Sequence, residues 1–480
     1  MEWAAVSLLV GHYVLLSALC VFGVHRFYVT FQARRLYKQP ALREEFDTLP
    51  KVTVQLPLYN EQFVAKRLIE AAAALDYPAD RLQIQVLDDS TDGTSEIVAD
   101  TIAALAICRV PIEHIRRTIR QGYKAGALAD AMEDATGEFI AVFDADFVPK
   151  PNFLKQLIHY FHDDGIGMVQ AQWDYLNRQD SFLTRLQGIM LDAHFTIEQT
   201  ARHSRGMFFN FNGTAGIWRK QAIVDAGGWQ ADTITEDLDL SYRAQLAGWQ
   251  FMYLRDTRCM SELPSEMNAF KSQQHRWTKG GIEVMLKLLP TIWRAPISWR
   301  HKLEATLHFA SNLSHLLILI DSLFFLIPAI VLRQTILPYP PLWVDLLLFA
   351  FGGLSHIYFY VGAQSALGRS LRSRIWLVPA LMATSIGLSR SNGCGVFEAL
   401  TGQKTAFIRT PKRGEQSAAA TYLARFSGGG SLLEVILGIA YSMAAAWCVY
   451  QGIFLALPFM ILFAWGFLFT GLSSQRSAVA

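Results

Sequence analysis

Four short motifs hold the residue types in this chain that can do chemistry. Asp88-Asp89-Ser90 follows the apolar run Ile84–Leu87, and Asp144-Ala145-Asp146 follows Phe139–Phe143. Two carboxylates one residue apart at a strand end can share a divalent cation with a diphosphate, because magnesium and manganese prefer hard oxygen ligands. Taken singly, each is equally the pattern of a turn in which Asp satisfies its own backbone. Thr235-Glu236-Asp237 precedes the apolar-patterned segment Leu238–Leu246. A carboxylate there can take a proton from an attacking hydroxyl, and a plain helix start capped by Thr235 is the competing account. Gln273-Gln274-His275-Arg276-Trp277 lies in an amphipathic stretch from Phe270 to Trp299. The fixed fork of donors on Arg276 suits a departing diphosphate, and Trp277 offers a flat face to a sugar ring. An interfacial helix with Arg and Trp needs neither role.

Something must hold these motifs in place. Between about Lys51 and Ser261, short β-rich runs alternate with helical segments, as in a doubly wound α/β domain, here given the bounds 48–265. Strands are expected at Val52–Leu56, Leu82–Leu87, Ile112–Ile115 and Phe139–Phe143, with helices at Phe63–Leu75, Ser95–Leu105 and Ala125–Ala135. The aspartate motifs then sit just past the carboxyl ends of strands, where open α/β sheets place ligands.

Apolar runs flank that domain. No formal charge occurs between Glu2 and Arg26, a length sufficient to cross a bilayer as a helix. The run is too long for a signal peptide, and the basic residues Arg26, Arg34, Arg35 and Lys38 follow it rather than precede it, so residues 1–38 are read as a span with a basic flank. Residues 266–300, with Trp277, Trp293 and Trp299 among basic residues, suit the bilayer interface. Further spans are expected at about 305–332, 342–367, 432–450 and 453–472 within a region 303–472, and the shorter run 375–390 as interfacial. Nine Lys and Arg residues, from Arg369 to Arg425, lie between the third and fourth spans. The rule that short cytoplasmic loops collect positive charge then puts that loop and the α/β domain in the cytoplasm and the N-terminus outside. His315 and Asp321 fall inside the second span, lining a channel or joining two helices.

Composition agrees with this plan. The 480 residues are 52% hydrophobic and only 18% charged, fitting one large domain plus spans. A net charge of +2 with no concentrated basic face excludes a nucleic-acid partner. The five cysteines share no C-x-x-C spacing, so neither a disulfide framework nor a structural zinc site is expected.

In their order, the four motifs resemble those of the processive family-2 glycosyltransferases, which include cellulose synthase, hyaluronan synthase and the cellulose-synthase-like mannan and glucan synthases of plants. The resemblance spans nearly the whole chain. It implies a GT-A-like nucleotide-sugar-binding fold between membrane spans, with Mg2+ or Mn2+ as cofactor. The implied reaction is inverting transfer of a hexose, from UDP-glucose or GDP-mannose, to the non-reducing end of a growing β-linked polysaccharide passed across the membrane. Asp88 and Asp89 would help bind the nucleotide, Asp144 and Asp146 the metal-diphosphate, and Asp237 would be the general base. Gln273, Arg276 and Trp277 would complete the donor and acceptor site.

Other segments match the same family. Tyr59 and Glu61, in Pro57-Leu58-Tyr59-Asn60-Glu61, stand where the nucleotide base pocket is expected. Lys124 stands at the donor phosphates, and Phe211, Asn212, Gly213 and Thr214 near the acceptor terminus. Phe407, Thr410 and Lys412 are in register with the cellulose synthase gating loop, within 403–413, although Arg409 replaces the usual valine and Pro411 occupies the variable position. Trp173 is either an acceptor contact or a core residue. Two other readings remain open: transfer of one sugar to a lipid acceptor, and a non-catalytic nucleotide-sugar sensor or scaffold. The implied partners are a nucleotide-sugar donor, a glycan acceptor and the bilayer, and export or accessory subunits are unspecified.

Overall fold

Glutamine alternates with aliphatic residues in the first two strands, a pattern that normally leaves one face wet. Here both faces are buried. Thr53 Oγ1 donates to Gln83 Oε1 at 2.8 Å and Gln55 Nε2 to Gln85 Oε1 at 3.1 Å, a polar ladder between residues in direct register. Each bond offsets part of a burial cost of about 1–3 kcal/mol per unpaired group, although Gln55 Oε1 and Gln85 Nε2 find no partner among the described residues. The computed structural model describes residues 2–38, 40, 41, 44–106, 110–335, 342–370, 375–404 and 429–479.

The strands are β1 (Val52–Leu58), β2 (Leu82–Asp88), β3 (Ile112–Arg116), β4 (Phe139–Val142), β5 (Ile166–Tyr175), β6 (Gly216–Arg219) and β7 (Gln250–Ser261), in spatial order β3-β2-β1-β4-β6-β5-β7. Strands β1 to β4 are parallel, as the alternating pattern implies. Strand β6 runs antiparallel between β4 and β5, and β5 pairs parallel with β7. The sheet is therefore mixed, and the second half of the domain departs from simple double winding. Beside it lie α2 (Ala65–Ala73), α3 (Thr94–Leu105), α4 (Tyr123–Asp130), α5 (Phe153–Ile158), α6 (Phe182–Ala193), α7 (Lys220–Asp225) and α8 (Glu236–Leu246). Helix α6 continues through a π turn at His194–Gln199. Two apolar cores, one around Val54, Leu68 and Phe143 and the other around Ile140, Phe195 and Trp218, fill the space around the sheet.

Helix α1 (Glu2–Leu36) precedes the domain, and α9 (Met267–Arg294) and α10 (Trp299–Ala310) follow it. The remaining helices are α11 (Leu313–Arg333), α12 (Leu342–Ala366), α13 (Leu377–Gly387), α14 (Ser389–Leu400), α15 (Gly429–Tyr450) and α16 (Leu457–Val479). Five of them, α1, α11, α12, α15 and α16, are long and apolar enough to cross a membrane.

Two boundaries differ from expectation. The expected span at 305–332 starts instead at Leu313, because residues 305–310 belong to the separate helix α10, which is tied to the sheet domain by the buried pair Glu304–Arg202. The run 375–390 is not an isolated surface segment. Helices α13 and α14 pack against α16, α9 and α11 and bury Leu381, Ser391 and Asn392. The loop with Phe407, Thr410 and Lys412 lies outside the described residues. His12 Nδ1 meets Asp321 Oδ1 at 2.7 Å, and His315 Nε2 is 3.3 Å from Asn392 Nδ2, so both span residues make contacts between helices.

Candidate active site

The loops after β1, β2 and β4, the start of α8 and the first turns of α9 enclose a cleft of about 210 Å³. Asp144 follows β4. Its backbone N–H donates to Thr214 Oγ1 at 2.9 Å, and its Oδ1 accepts from Lys124 Nζ at 2.6 Å. Lys124, on the first turn of α4, also donates to the Gly213 carbonyl at 2.8 Å and lies 3.8 Å from Glu236. Burial alone would lower the Lys124 ammonium, but Asp144 and Glu236 outweigh it and hold the group above its ordinary value. Asp146 Oδ2 accepts from the Glu262 backbone N–H at 3.4 Å.

Asp237 opens α8, its Oδ1 accepting from the Leu238 N–H at 2.8 Å. Burial first, then the neighbouring Glu236, pushes its carboxyl up to about 7, with Lys124 opposing. Thr235 stands at the N-cap position, but its hydroxyl makes no cap hydrogen bond. It packs instead against Gly280 of α9, where an added Cβ would come within 2.6 Å of Thr235 Oγ1. A glycine in α9 is what lets the Thr235-Glu236-Asp237 turn approach that helix. Arg276, from the same helix, is lowered by its burial and raised by Glu236, Asp144, Asp237 and Asp146 around it.

At the far end of the cleft, the Arg120 guanidinium stacks 3.3 Å from the Tyr59 ring centroid and 4.8 Å from that of Tyr123. Asp89 is held by Arg117 through two hydrogen bonds. Glu61, Gln273, Trp277, Asn212 and Gly213 also reach the cleft wall.

Three candidate residues do not reach it. Asp88 is 1% exposed and turns inward to Ser90, Ser95 and His114. Phe211 is buried edge-on against Trp218, and Thr214 is consumed in fixing the Asp144 backbone. Their spacing marks the cleft, but they stand behind it. Asn212 borders the cleft, yet its side chain is also claimed from behind: Gln199 Nε2 donates to its Oδ1 at 2.6 Å, and His194 Nε2 lies 2.9 Å from its Nδ2. Sequence reading passed over Arg117, Arg120 and Glu262. The basic cluster Arg116-Arg117 and Arg120, directly after a strand, was the signal available for the first two.

Residues 50–280, which contain every group just described, match the model of glycosyltransferase like family 2. The chain carries a family 2 glycosyltransferase domain. The chain is 44% identical over 274 residues to glucomannan 4-beta-mannosyltransferase 2 of Arabidopsis thaliana, covering 54% of this chain and 51% of that one. It is 46% identical over 253 residues to the probable glucomannan 4-beta-mannosyltransferase 4 of Oryza sativa subsp. japonica, covering 52% and 46%. This chain thus spans about half the length of the curated relatives it matches. Among solved structures, mannosyltransferase PcManGT from Pyrobaculum calidifontis, in complex with GDP-Man and Mn2+, has a similar fold, with a TM-score of 0.56 at 19% identity over 82% of this chain and 100% of that one. The fold is GT-A-like, with apolar helices on both sides of the transferase domain.

Gly213 makes a close approach to Asp237 in this domain. Its φ is +81°, and an added Cβ would lie 2.9 Å from Asp237 Oδ2. Replacing it by Ala adds both a left-handed backbone cost of about 1–2 kcal/mol and a displacement of Asp237. Turnover of G213A is expected to fall at least about tenfold, roughly the 1.4 kcal/mol equivalent. A steady-state assay on the folded variant that returned wild-type kcat would remove the claimed contact.

Proposed function

We propose that this chain is an inverting, membrane-embedded hexosyltransferase that moves mannose from GDP-mannose, or glucose from UDP-glucose, to the non-reducing end of a β-linked mannan or glucomannan. The observation that carries this reading is the partly buried Asp237 carboxylate, pushed up to about 7 on the rim of a cleft that also presents Asp144, Asp146, Lys124 and Arg276. The names of the plant relatives support mannose as the sugar.

In this reading, Asp237 takes the proton of the acceptor hydroxyl as that oxygen bonds to the anomeric carbon. The bond from that carbon to the diphosphate breaks on the opposite face, which inverts the centre. Arg276 and Lys124 meet the charge left on the departing diphosphate. Tyr59, with Arg120, and Asp89 hold the nucleotide, and Gln273 and Trp277 hold the sugars.

Around Arg276 and Lys124 the cleft gathers four carboxylates, Glu236, Asp144, Asp237 and Asp146, against those two cations. That excess of hard anionic oxygen suits a divalent cation. Among the described residues no three His, Cys, Asp or Glu side chains form a cage, which fits Mg2+ or Mn2+ held by one or two carboxylates, Asp144 and Asp146, together with phosphate oxygens. Such an ion would supply Lewis-acid stabilisation of the leaving group.

Residues 48–265 are the cytoplasmic transfer domain in this proposal, 266–300 its link to the membrane, and the spans the path of the product. The segment 403–413 would close over the bound donor. Purified protein in detergent, given a panel of GDP and UDP sugars with Mg2+ or Mn2+, should release GDP from GDP-mannose fastest. The product should be a polymer cut by β-mannan-specific hydrolases. A product that is a single-sugar glycolipid would overturn the polymer reading, and no nucleotide release from any donor would overturn the transferase reading.

A further inference from the structure

The two ends of the cleft are built differently. Tyr59 and Asp89 follow β1 and β2, on one side of β4 in the sheet order. Trp173 and Tyr175 lie on β5, on the other side of β4. They are two positions apart on one strand, so both project from the same face, and both line the cleft beside Trp277. The carboxylates that follow β4 therefore stand between a nucleotide end and an aromatic end.

The aromatic end holds two unanswered donors. Tyr175 is 4% exposed, yet its Oη has no hydrogen-bond partner among the described residues, and neither has Trp173 Nε1. Burial, together with Asp192, holds the Tyr175 phenol well above its ordinary value, so it keeps its proton. Neither ring is free to swing toward a partner. The Arg178 guanidinium lies 5.0 Å over the Tyr175 ring and is itself pinned by Asp174 and Asp192. The Trp173 ring sits between Phe147 at 5.2 Å and Phe195 at 5.1 Å.

Buried donors are normally satisfied. Two in one cleft wall, on residues packed beside Trp277, are the complement of a ligand with hydroxyl groups on its edge and C–H groups on its face. We propose that Trp173 Nε1–H and Tyr175 Oη–H bind hydroxyls of the acceptor glycan while Trp277 covers a ring face, so that these residues position the acceptor and not the donor. This rests on the transferase reading above, and it extends that reading by naming the acceptor subsite. Helix α6, which supplies Leu191 to the same wall, packs on α12 and α13, so the glycan leaves this end toward the apolar helices.

The test uses the full chain in detergent with Tyr175→Phe and Trp173→Phe. Binding of β-1,4-linked mannohexaose and cellohexaose is measured by calorimetry, alongside acceptor KM, donor KM and thermal midpoint. Each variant should weaken hexasaccharide binding and raise acceptor KM about tenfold, the scale of one lost hydrogen bond in a buried site. Donor KM should be unchanged, and Y175F should melt no lower than wild type, because its missing hydroxyl held nothing in the free protein. Variants that bind the hexasaccharides as wild type does, a wild type that binds neither, or a matching rise in donor KM would each overturn the proposal. If hexasaccharide binding depends on both residues while no donor is turned over, the subsite stands and the transferase reading fails.

Discussion

Asp237→Asn is expected to abolish transfer almost completely, lowering kcat by about 10²–10⁴-fold, the contribution of a positioned general base. The substitution keeps the size of the side chain and can keep the contact from the Leu238 N–H, so donor binding and the thermal midpoint should change little. What disappears is the proton acceptor. The same carboxylate predicts the pH profile of the wild type. Burial and Glu236 raise it to about 7, so it is protonated, and useless as a base, below that pH. The kcat/KM should therefore fall tenfold per pH unit on the acid side of about 7 and level off above it, before any alkaline limb. Near-wild-type turnover in D237N, with donor KM intact, would remove Asp237 from the mechanism.

The largest stability effect is expected from Asp192→Ala. Asp192 is 1% exposed and accepts from both terminal nitrogens of Arg178 at 2.8 Å, from Arg369 at 2.7 Å and from Gln364 at 2.9 Å. Arg178 also meets Asp174 at 2.8 Å. Deleting the carboxylate leaves two guanidinium groups facing each other in a site with little water. Breaking a buried pair in this way costs about 3–5 kcal/mol, which for a domain of this size lowers the thermal midpoint by on the order of 10 °C. Arg369→Leu should cost less, because Asp192 keeps its two bonds to Arg178. Equal midpoints for wild type and D192A would show that the cluster contributes nothing. Since Arg369 and Gln364 belong to the helical bundle and Arg178 and Asp192 to the transferase domain, the loss should also loosen the docking of one on the other.

The parts most legible in sequence were those set by local pattern. β1 to β4 follow from short β-rich runs, two of which, β2 and β4, lead into Asp, and Asp144, Asp146, Asp237 and Arg276 from motif spacing. The parts that escaped depend on pairing between distant residues. β6 has four residues and no period long enough to read. The buried Gln83 and Gln85 look solvent-facing until their partners on β1 are known. Asp88 and Asp89 are neighbours of identical chemistry, yet the side-chain alternation of an extended strand sends one to His114 and the other to the cleft. The start of the second span was misplaced because the apolar residues after Ala305 first finish a separate helix, α10, whose Glu304 is held by Arg202 and His25 arriving from elsewhere.

Helix α9 belongs to both halves of the molecule at once. Its early turns carry Gln273, Arg276 and Trp277 into the cleft, while Lys271 pairs with Glu434 of α15 and Lys279 with Glu398 of α14. Over 28 residues it is a rod of about 40 Å at the usual helical rise. The transferase sheet therefore cannot be regrafted onto a foreign anchor as an independent part. Any recombination that exchanged the bundle while keeping the sheet would have to carry α9 with one side and redesign its seat on the other.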